Sequence, residues 1–451
     1  MGLSYCIVGG GISGLVAAYR LRRSAGPDAS ITLFDGADRL GGVLRTVRLG
    51  GQPFDIGAEA FITRRPEMPA LLAELGLADR QIQTTGAQPS LYSCGQLHPL
   101  PQGAVQGIPT LASSMLDLVD NASIAQVLDE RIRPLTWNVG ADPTVAELVG
   151  DRFGQQVVTR SVDPLLAGVY AGSAASIGLR AAAPAVAVAL DRGATSLTEA
   201  VRRALPAPVF GSAFGAVRGG YSVLVDELRH RAGAHWIQKG VQRIDSTTGG
   251  WEVIDEEGGY WPADAVVIAV PAPRLPSLIE HLAPHSAAAA RRIPVASVAV
   301  VGLALPAGTP LPQQSGVLAA SGEKLRCKAI TLSSRKWGRC GDVELVRLSF
   351  GRLGDELARN ATDDDLLSWA QQDLVTLFGI AVEPVDSHVH RWMDAIPQYQ
   401  PGHRGVITEL RAGLPPTLVV AGAYLDGVGV PACVGTATRA AESLLTACAT
   451  R

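Results

Sequence analysis

The segment 5–35 constrains the fold more than any other part of this chain. Tyr5-Cys6-Ile7-Val8 has the apolar run of a buried strand, Gly9-Gly10-Gly11-Ile12-Ser13-Gly14 follows at once, and an amphipathic stretch continues to about Arg23. Ser30-Ile31-Thr32-Leu33-Phe34 then reads as a second short strand ending in Asp35. A glycine turn opening a helix, followed by a strand and an acid, is the sequence context of a dinucleotide-binding βαβ unit. In this reading Gly9 permits the turn, Gly11 lets main chain approach a pyrophosphate, and Gly14 lets helix and strand touch. The helix N-terminus faces the phosphate charge, and Asp35 is placed for the adenosine ribose hydroxyls. The fold class that follows is α/β with a Rossmann-like sheet.

Arg39-Leu40-Gly41-Gly42 follows the acid closely, and Phe54-Asp55-Ile56-Gly57-Ala58 comes after a hairpin-like stretch. Arg39 offers charge-assisted bonds near a diphosphate, and the paired glycines let main chain approach a cofactor. With Asp35 this pattern resembles the extended signature of the flavoprotein superfamily that includes amine oxidases, phytoene desaturases and protoporphyrinogen oxidases. The resemblance implies FAD rather than a free nicotinamide cofactor. At the far end, Thr417-Leu418-Val419-Val420-Ala421-Gly422 reads as a strand entering a turn, and Asp426-Gly427-Val428-Gly429-Val430-Pro431 leads into a helix through about Leu445. In the superfamily that helix N-terminus meets the flavin pyrimidine edge. Asp426 reads equally as a ribityl or phosphate-side contact and as a cap on the turn.

If both ends meet one FAD, the cofactor domain is discontinuous. The reading assigns 1–90, 191–275 and 391–451 to it, 91–190 to an inserted, mainly helical domain, and 276–390 to a substrate-binding domain built on a mixed, largely antiparallel sheet. Helices are expected at 112–120, 122–131, 144–153 and 363–378, and strands at 237–244, 265–271, 297–303, 329–333 and 344–350. The loop carrying Gly103, Gly107, Ile108 and Pro109 is left open between an entrance, a membrane contact and ordinary packing.

Several classes are disfavoured. With 39 basic against 42 acidic residues and a net charge of -3, the chain has no long-range field for nucleic acid. Its six cysteines form no CxxC pair, and His388 and His390 alternate along one strand with no third ligand nearby, so no metal site is expected. No signal peptide is expected, and the apolar run 293–305 is too short to span a bilayer and reads as a buried strand. A cytoplasmic protein follows, with peripheral membrane contact and a homodimer left open.

Across nearly its whole length the chain resembles the bacterial protoporphyrinogen and coproporphyrinogen oxidases. The signs are the two glycine-rich elements above, Gly57-Ala58-Glu59-Ala60-Phe61, Gly168-Val169-Tyr170-Ala171-Gly172, Ala395-Ile396-Pro397-Gln398-Tyr399 with Gly402-His403, and Tyr424-Leu425-Asp426-Gly427-Val428-Gly429-Val430. The resemblance implies cofactor contacts from Gly9, Gly10, Gly11, Ile12, Ser13, Gly14, Asp35, Arg39, Gly42, Gly57, Ala58, Glu59, Ala60, Val241, Trp392, Ala423, Val428, Gly429 and Val430. Asp35 is shorter than the family's common glutamate, and Gly429 replaces a common alanine.

The resemblance also implies six-electron oxidation of a porphyrinogen, with hydride passing from a bridge carbon to noncovalently held FAD, oxygen as acceptor and hydrogen peroxide as product. Such chemistry needs orientation and shielding more than a catalytic side chain. For substrate, Arg64 and Arg65 are candidates to attract a propionate, Gly168 to present a carbonyl and Tyr170 to pack beside the macrocycle. Lys328, Arg335 and Lys336 add positive charge in the sheet region. Coproporphyrinogen III is the favoured substrate, with protoporphyrinogen IX as alternative. A flavin amine oxidase caging its amine between Trp392 and Tyr399, or a protein that only binds flavin or porphyrin, are more distant readings.

Overall fold

The computed structural model describes residues 2–207, 211–339, 341–381 and 383–450. The opening strand forms at Ser4–Val8 and lies between two parallel partners, with Ile7 opposite Leu33 of Ser30–Phe34 on one side and Val267 of Ala265–Ile268 on the other. His235–Ile237 and Leu418–Val420 complete a five-stranded parallel sheet. An all-parallel sheet must be covered on both faces. Helices Ile12–Ala25, Ser222–Ala232 and Val430–Ala449 cover one face. A three-stranded meander (Val241–Ser246, Trp251–Asp255, Tyr260–Ala263) and helices Pro284–Arg291 and His403–Ala412 cover the other. The sheet thus joins both ends of the chain with its middle, as the discontinuous α/β reading requires.

The strand expected at 237–244 is in fact two. His235–Ile237 stays in the parallel sheet and Val241–Ser246 leaves for the meander. Between them Gly240 is tied to Glu256, its N–H donating to Oε1 at 3.0 Å and its carbonyl accepting from Glu256 N–H at 2.9 Å. That exchange bends the chain out of one sheet and into the next.

A second sheet has seven strands in the order Asp386–Pro397, Val295–Pro306, Val343–Phe350, Ala329–Leu332, Gly316–Ala319, Pro89–Ser93 and Gln96–Pro99. Every pairing is antiparallel except that of Gly316–Ala319 with Pro89–Ser93. The last two strands correct the expectation of helix from 91 onward. Cys94 and Gly95, at φ 52° and 73°, form a tight turn whose twist suits a hairpin. Helix Asp363–Phe378, opened by a Thr362 and Asp365 capping box, packs on the sheet's outer face.

The helical region builds its own core from Phe153, Leu166, Val186, Leu197 and their neighbours. The helix expected at 112–120 shrinks to a single 3-10 turn, Ala112–Met115, because Asp120 is the N-cap of the next helix and accepts from Ser123 N–H at 2.8 Å. Ile108 is fully buried, whereas Leu111 and Leu116 just after it are exposed. Among the described residues no helix is long and apolar enough to cross a membrane.

Candidate active site

The glycine turn is shaped by contacts that only bare backbone allows. Gly9 sits at φ +107°, and a Cβ on Gly14 would collide with the Gly9 carbonyl oxygen, so the helix start rests directly on the strand end. Ile12 and Ser13 are buried at the start of the helix. The loop at Gly41 closes over the turn, its N–H donating to Gly10 O at 2.8 Å. Between the two loops a Cβ on Gly11 would meet nothing nearer than the Gly42 Cα at 3.9 Å. Helix Ile12–Ala25 starts at Gly11 with no side-chain cap, so its first amides point into that gap unpaired. Asp35 closes the edge of the site, held by Gly10 N–H at 2.6 Å and Ala37 N–H at 3.0 Å.

Arg39 braces the loop that follows it. Its guanidinium donates to Leu40 O, Gly42 O and Leu44 O at 3.1, 2.6 and 3.0 Å, fixing the shape of the double-glycine loop. Gly57 is packed so closely on Val43 that a Cβ would strike the Val43 carbonyl, and the Trp392 indole N–H donates to Ile56 O at 3.2 Å. Glu59 is engaged by protein donors: Ser333 Oγ at 3.0 Å, Trp337 Nε1 at 2.9 Å and Lys336 Nζ at 3.0 Å. Burial raises the Glu59 carboxyl, but Lys336 and Arg347 outweigh burial and hold it below its ordinary value. Glu59 therefore clasps the second sheet to the segment that carries Gly57, Ala58 and Ala60.

From the other end, helix Val430–Ala449 begins at Gly429, again with no side-chain cap, and Val430 is buried. The preceding turn is laced by Tyr399, whose hydroxyl donates to Ala423 O at 2.5 Å and accepts from Gly427 N–H at 2.7 Å. Val428 packs against the helical core, and Val241 packs with Cys6, Val8 and Phe34 under the first sheet. Asp426 neither caps the turn nor stands free. Arg411 and Arg439 hold its carboxylate at 2.8 and 2.5 Å between the last two helices. The aromatic cage also dissolves: Trp392 packs on His390 at 4.1 Å and Tyr399 stacks on His403 at 4.0 Å.

The second sheet supplies a wall. On its outer face Ile330, Leu332, Val346, Leu348 and Phe350 are buried in the core beneath helix Asp363–Phe378. On the inner face the half-buried residues fall in cross-strand rows, Leu318–Ala329–Ser349 and Thr331–Arg347, continued by His390 and His388. Arg347 lies deep in the molecule yet keeps accessible surface, and donates to Gly57 O at 2.7 Å. The inner face therefore borders a space shared with the first domain. Helix Asp163–Tyr170 closes one side of it, with Gly168 against Leu318.

The sequence-derived substrate residues are scattered around this space. Arg64 and Arg65 are exposed, and Arg65 pairs with Glu67 at 2.8 Å. Tyr170 turns into the helical core, its hydroxyl donating to Ala181 O, and so does not lie beside the inner face. Arg335 pairs with Glu344 and Lys336 with Glu59. Lys328 is buried without a carboxylate partner among the described residues, donating to Phe350 O and Gly351 O.

The chain matches the model of the flavin containing amine oxidoreductase family over residues 12–445. It belongs to that family. It is 64% identical over 444 residues, 98% of both chains, to the Mycobacterium tuberculosis protein named coproporphyrinogen III oxidase. It is 29% identical to the Bos taurus protoporphyrinogen oxidase, over 99% of both chains. A crystal structure of a protein from Exiguobacterium sp. 255-15 superposes with TM-score 0.88 at 27% identity, covering 99% of both chains.

This flavin oxidoreductase is therefore an enzyme whose cofactor is a flavin, and its residues fit one. The gap between Gly11 and Gly42, with unpaired helix amides at its floor, suits a pyrophosphate; the uncapped start of helix Val430–Ala449 offers a second set of amide dipoles.

Sequence reasoning missed two residues here, Asp55 and Arg347. For Arg347 a signal existed, since it is the one cation within the apolar alternation of Val343–Phe350. Asp55 accepts from Thr46 Oγ1 at 2.6 Å and Tyr221 N–H at 3.0 Å, tying the Thr46–Leu49 and Gln52–Asp55 hairpin to the helix at Ser222. Burial pushes its carboxyl up to about 7. A group raised in the folded state stabilises fully below its unfolded pKa of 3.8, and the contribution is lost as pH rises through about 7. Asp55→Asn keeps an acceptor but removes the titration. Its melting temperature is expected to fall less than that of the wild type between pH 5 and 8; parallel slopes in thermal melts would refute this.

Proposed function

We propose that this chain binds FAD noncovalently and oxidises coproporphyrinogen III to coproporphyrin III. The observation that carries this reading is the 64% identity, across 98% of both chains, with the Mycobacterium tuberculosis protein named for that activity. Six electrons and six protons leave the macrocycle, and three molecules of oxygen take them up as three of hydrogen peroxide. FAD, when bound, supplies the two-electron acceptor between the two. Everything else falls to positioning by the chain.

The turn Gly9 to Gly14 and the Gly42 loop shaped by Arg39 would hold the diphosphate, Asp35 the ribose, and Gly57 to Ala60, Val241, Trp392, Ala423 and Val428 to Val430 the remainder. Asp426 is left out of this set because Arg411 and Arg439 occupy its carboxylate. The macrocycle would lie against the inner sheet face near Gly168, with Arg64 and Arg65 at the periphery drawing in its propionates.

A parallel assay of FAD-loaded protein with freshly reduced coproporphyrinogen III and protoporphyrinogen IX, read as porphyrin fluorescence against enzyme-free controls, tests the reading. Carboxylate contacts worth about 1.5–3 kcal/mol each predict a kcat/KM for coproporphyrinogen III at least about tenfold higher. The bovine relative, at 29% identity, favours the second reading. Preference for protoporphyrinogen IX would replace the substrate, and no enzyme-dependent oxidation of either would remove the assignment.

A further inference from the structure

Tyr399 uses its hydroxyl differently from other tyrosines of the interior. Among the described residues the buried hydroxyls of Tyr5, Tyr221 and Tyr424 find no partner and that of Tyr170 finds one, whereas that of Tyr399 makes two bonds. It donates to Ala423 O at 2.5 Å and accepts from Gly427 N–H at 2.7 Å, so one oxygen joins the two ends of a single turn. Burial pushes this phenol up, and it therefore remains a donor through the neutral range.

Tyr399 is itself fixed. Its ring stacks on His403 at 4.0 Å, its carbonyl accepts from Gly178 N–H at 2.9 Å, and the preceding Gln398 donates to Tyr170 O at 2.6 Å. His403 in turn donates through Nε2 to Tyr424 O at 2.8 Å, inside the same turn. With Asp426 held by Arg411 and Arg439, the residues Ala423, Tyr424, Asp426 and Gly427 are all tied down. What the turn leaves free comes immediately after it. The N–H groups of Val428 and Gly429 have no acceptor among the described residues, and they stand at the uncapped start of helix Val430–Ala449.

We propose that Tyr399, seconded by His403, is a positioning residue for the flavin, fixing the turn 423–427 and so the place where the free amides of Val428 and Gly429 meet the cofactor. This rests on the reading above that assigns Ala423 and Val428 to Val430 to the flavin. Amide dipoles at a helix start favour negative charge, which a flavin gains on reduction. Their effect depends on being held in place before the charge develops. A turn released from Tyr399 loses that order, and the loss falls harder on the reduced flavin than on the oxidised one.

The test compares wild type with Tyr399→Phe, His403→Phe and Tyr170→Phe, measuring FAD affinity by flavin fluorescence and the midpoint potential of the bound flavin against a reference dye. The first two variants keep the stacked rings and remove the polar atoms. Tyr399→Phe should weaken FAD at least about tenfold, the loss of two hydrogen bonds, and move the potential to more negative values. His403→Phe should move both in the same direction, and it decides the matter if Tyr399→Phe holds too little flavin to titrate. Tyr170→Phe removes a hydroxyl that donates to Ala181 O in the same core, with its ring 6.0 Å from that of Tyr399, and should leave both quantities at their wild-type values. A Tyr399→Phe protein with the wild-type potential, or a Tyr170→Phe protein shifted as far, would overturn the proposal even where the melting temperature falls. A wild type that takes up no FAD would instead remove the cofactor reading on which it rests.

Discussion

Gly14→Ala is expected to yield protein that purifies without the yellow of bound flavin and melts well below the wild type, if it remains soluble. The added methyl would meet the Gly9 carbonyl oxygen and would lie 3.3 Å from Ile7 Cγ2. Neither can retreat: Gly9 N–H is bonded to Phe34 O at 2.8 Å, and Ile7 is fully buried between two parallel strands. Overpacking of a rigid site costs about 1–3 kcal/mol, occasionally more, and relief would come only by lifting the helix start away from the turn at Gly9. Gly405→Ala is the matched control. That glycine lies in helix His403–Ala412, and its Cβ would meet nothing within 4 Å. Alanine there should leave flavin content unchanged and raise stability by up to about 1 kcal/mol. A yellow Gly14→Ala protein with normal melting would mean that the turn does not hold the diphosphate.

The second large effect lies in the helical region. Arg152 and Glu130 form a buried pair, 2% and 0% exposed, with Nε to Oε1 at 3.0 Å. Arg152 also donates to the carbonyls of Glu130, Arg133 and Pro134, while Glu130 accepts from Leu197 N–H at 2.6 Å and Thr198 N–H at 3.0 Å. One ion pair thus ties a loop to the start of helix Leu197–Ala204. Arg152→Ala leaves a buried carboxylate without its cation and should destabilise by about 3–5 kcal/mol, read as a lower denaturation midpoint with flavin retained in the folded fraction. Removing Glu130 as well should not restore stability, because the two helix amides then lose their acceptor. A double variant as stable as wild type would show that the helix start needs no carboxylate.

These two sites differ in how visible they are in the sequence. The glycine turn, its flanking strands, Asp35 and the terminal helix are legible because strand period, helix period and glycine at a tight turn are properties of a few consecutive residues. The same holds for helix Asp363–Phe378, whose capping box lies within the first turn. The Arg152 and Glu130 pair carries no such mark: an arginine at the end of one helix is ordinary until the fold buries it against a partner.

What the sequence by itself determined is therefore the α/β class, the glycine turn and the joining of both chain ends in one parallel sheet. Only the tertiary structure decided the rest. The hairpin at 89–99 depends on a neighbouring strand, Gly316–Ala319, from far along the chain. The division of 237–244 depends on Glu256 catching Gly240. Asp426 is drawn outward by Arg411 and Arg439, and Tyr170 is turned into the helical core. Arg347 reaches the Gly57 carbonyl only when the second sheet docks on the first domain. Periodicity reports which face of an element is apolar, but the partner of a charged side chain is set by where distant elements dock, because burial and charge pairing act through space and not along the chain.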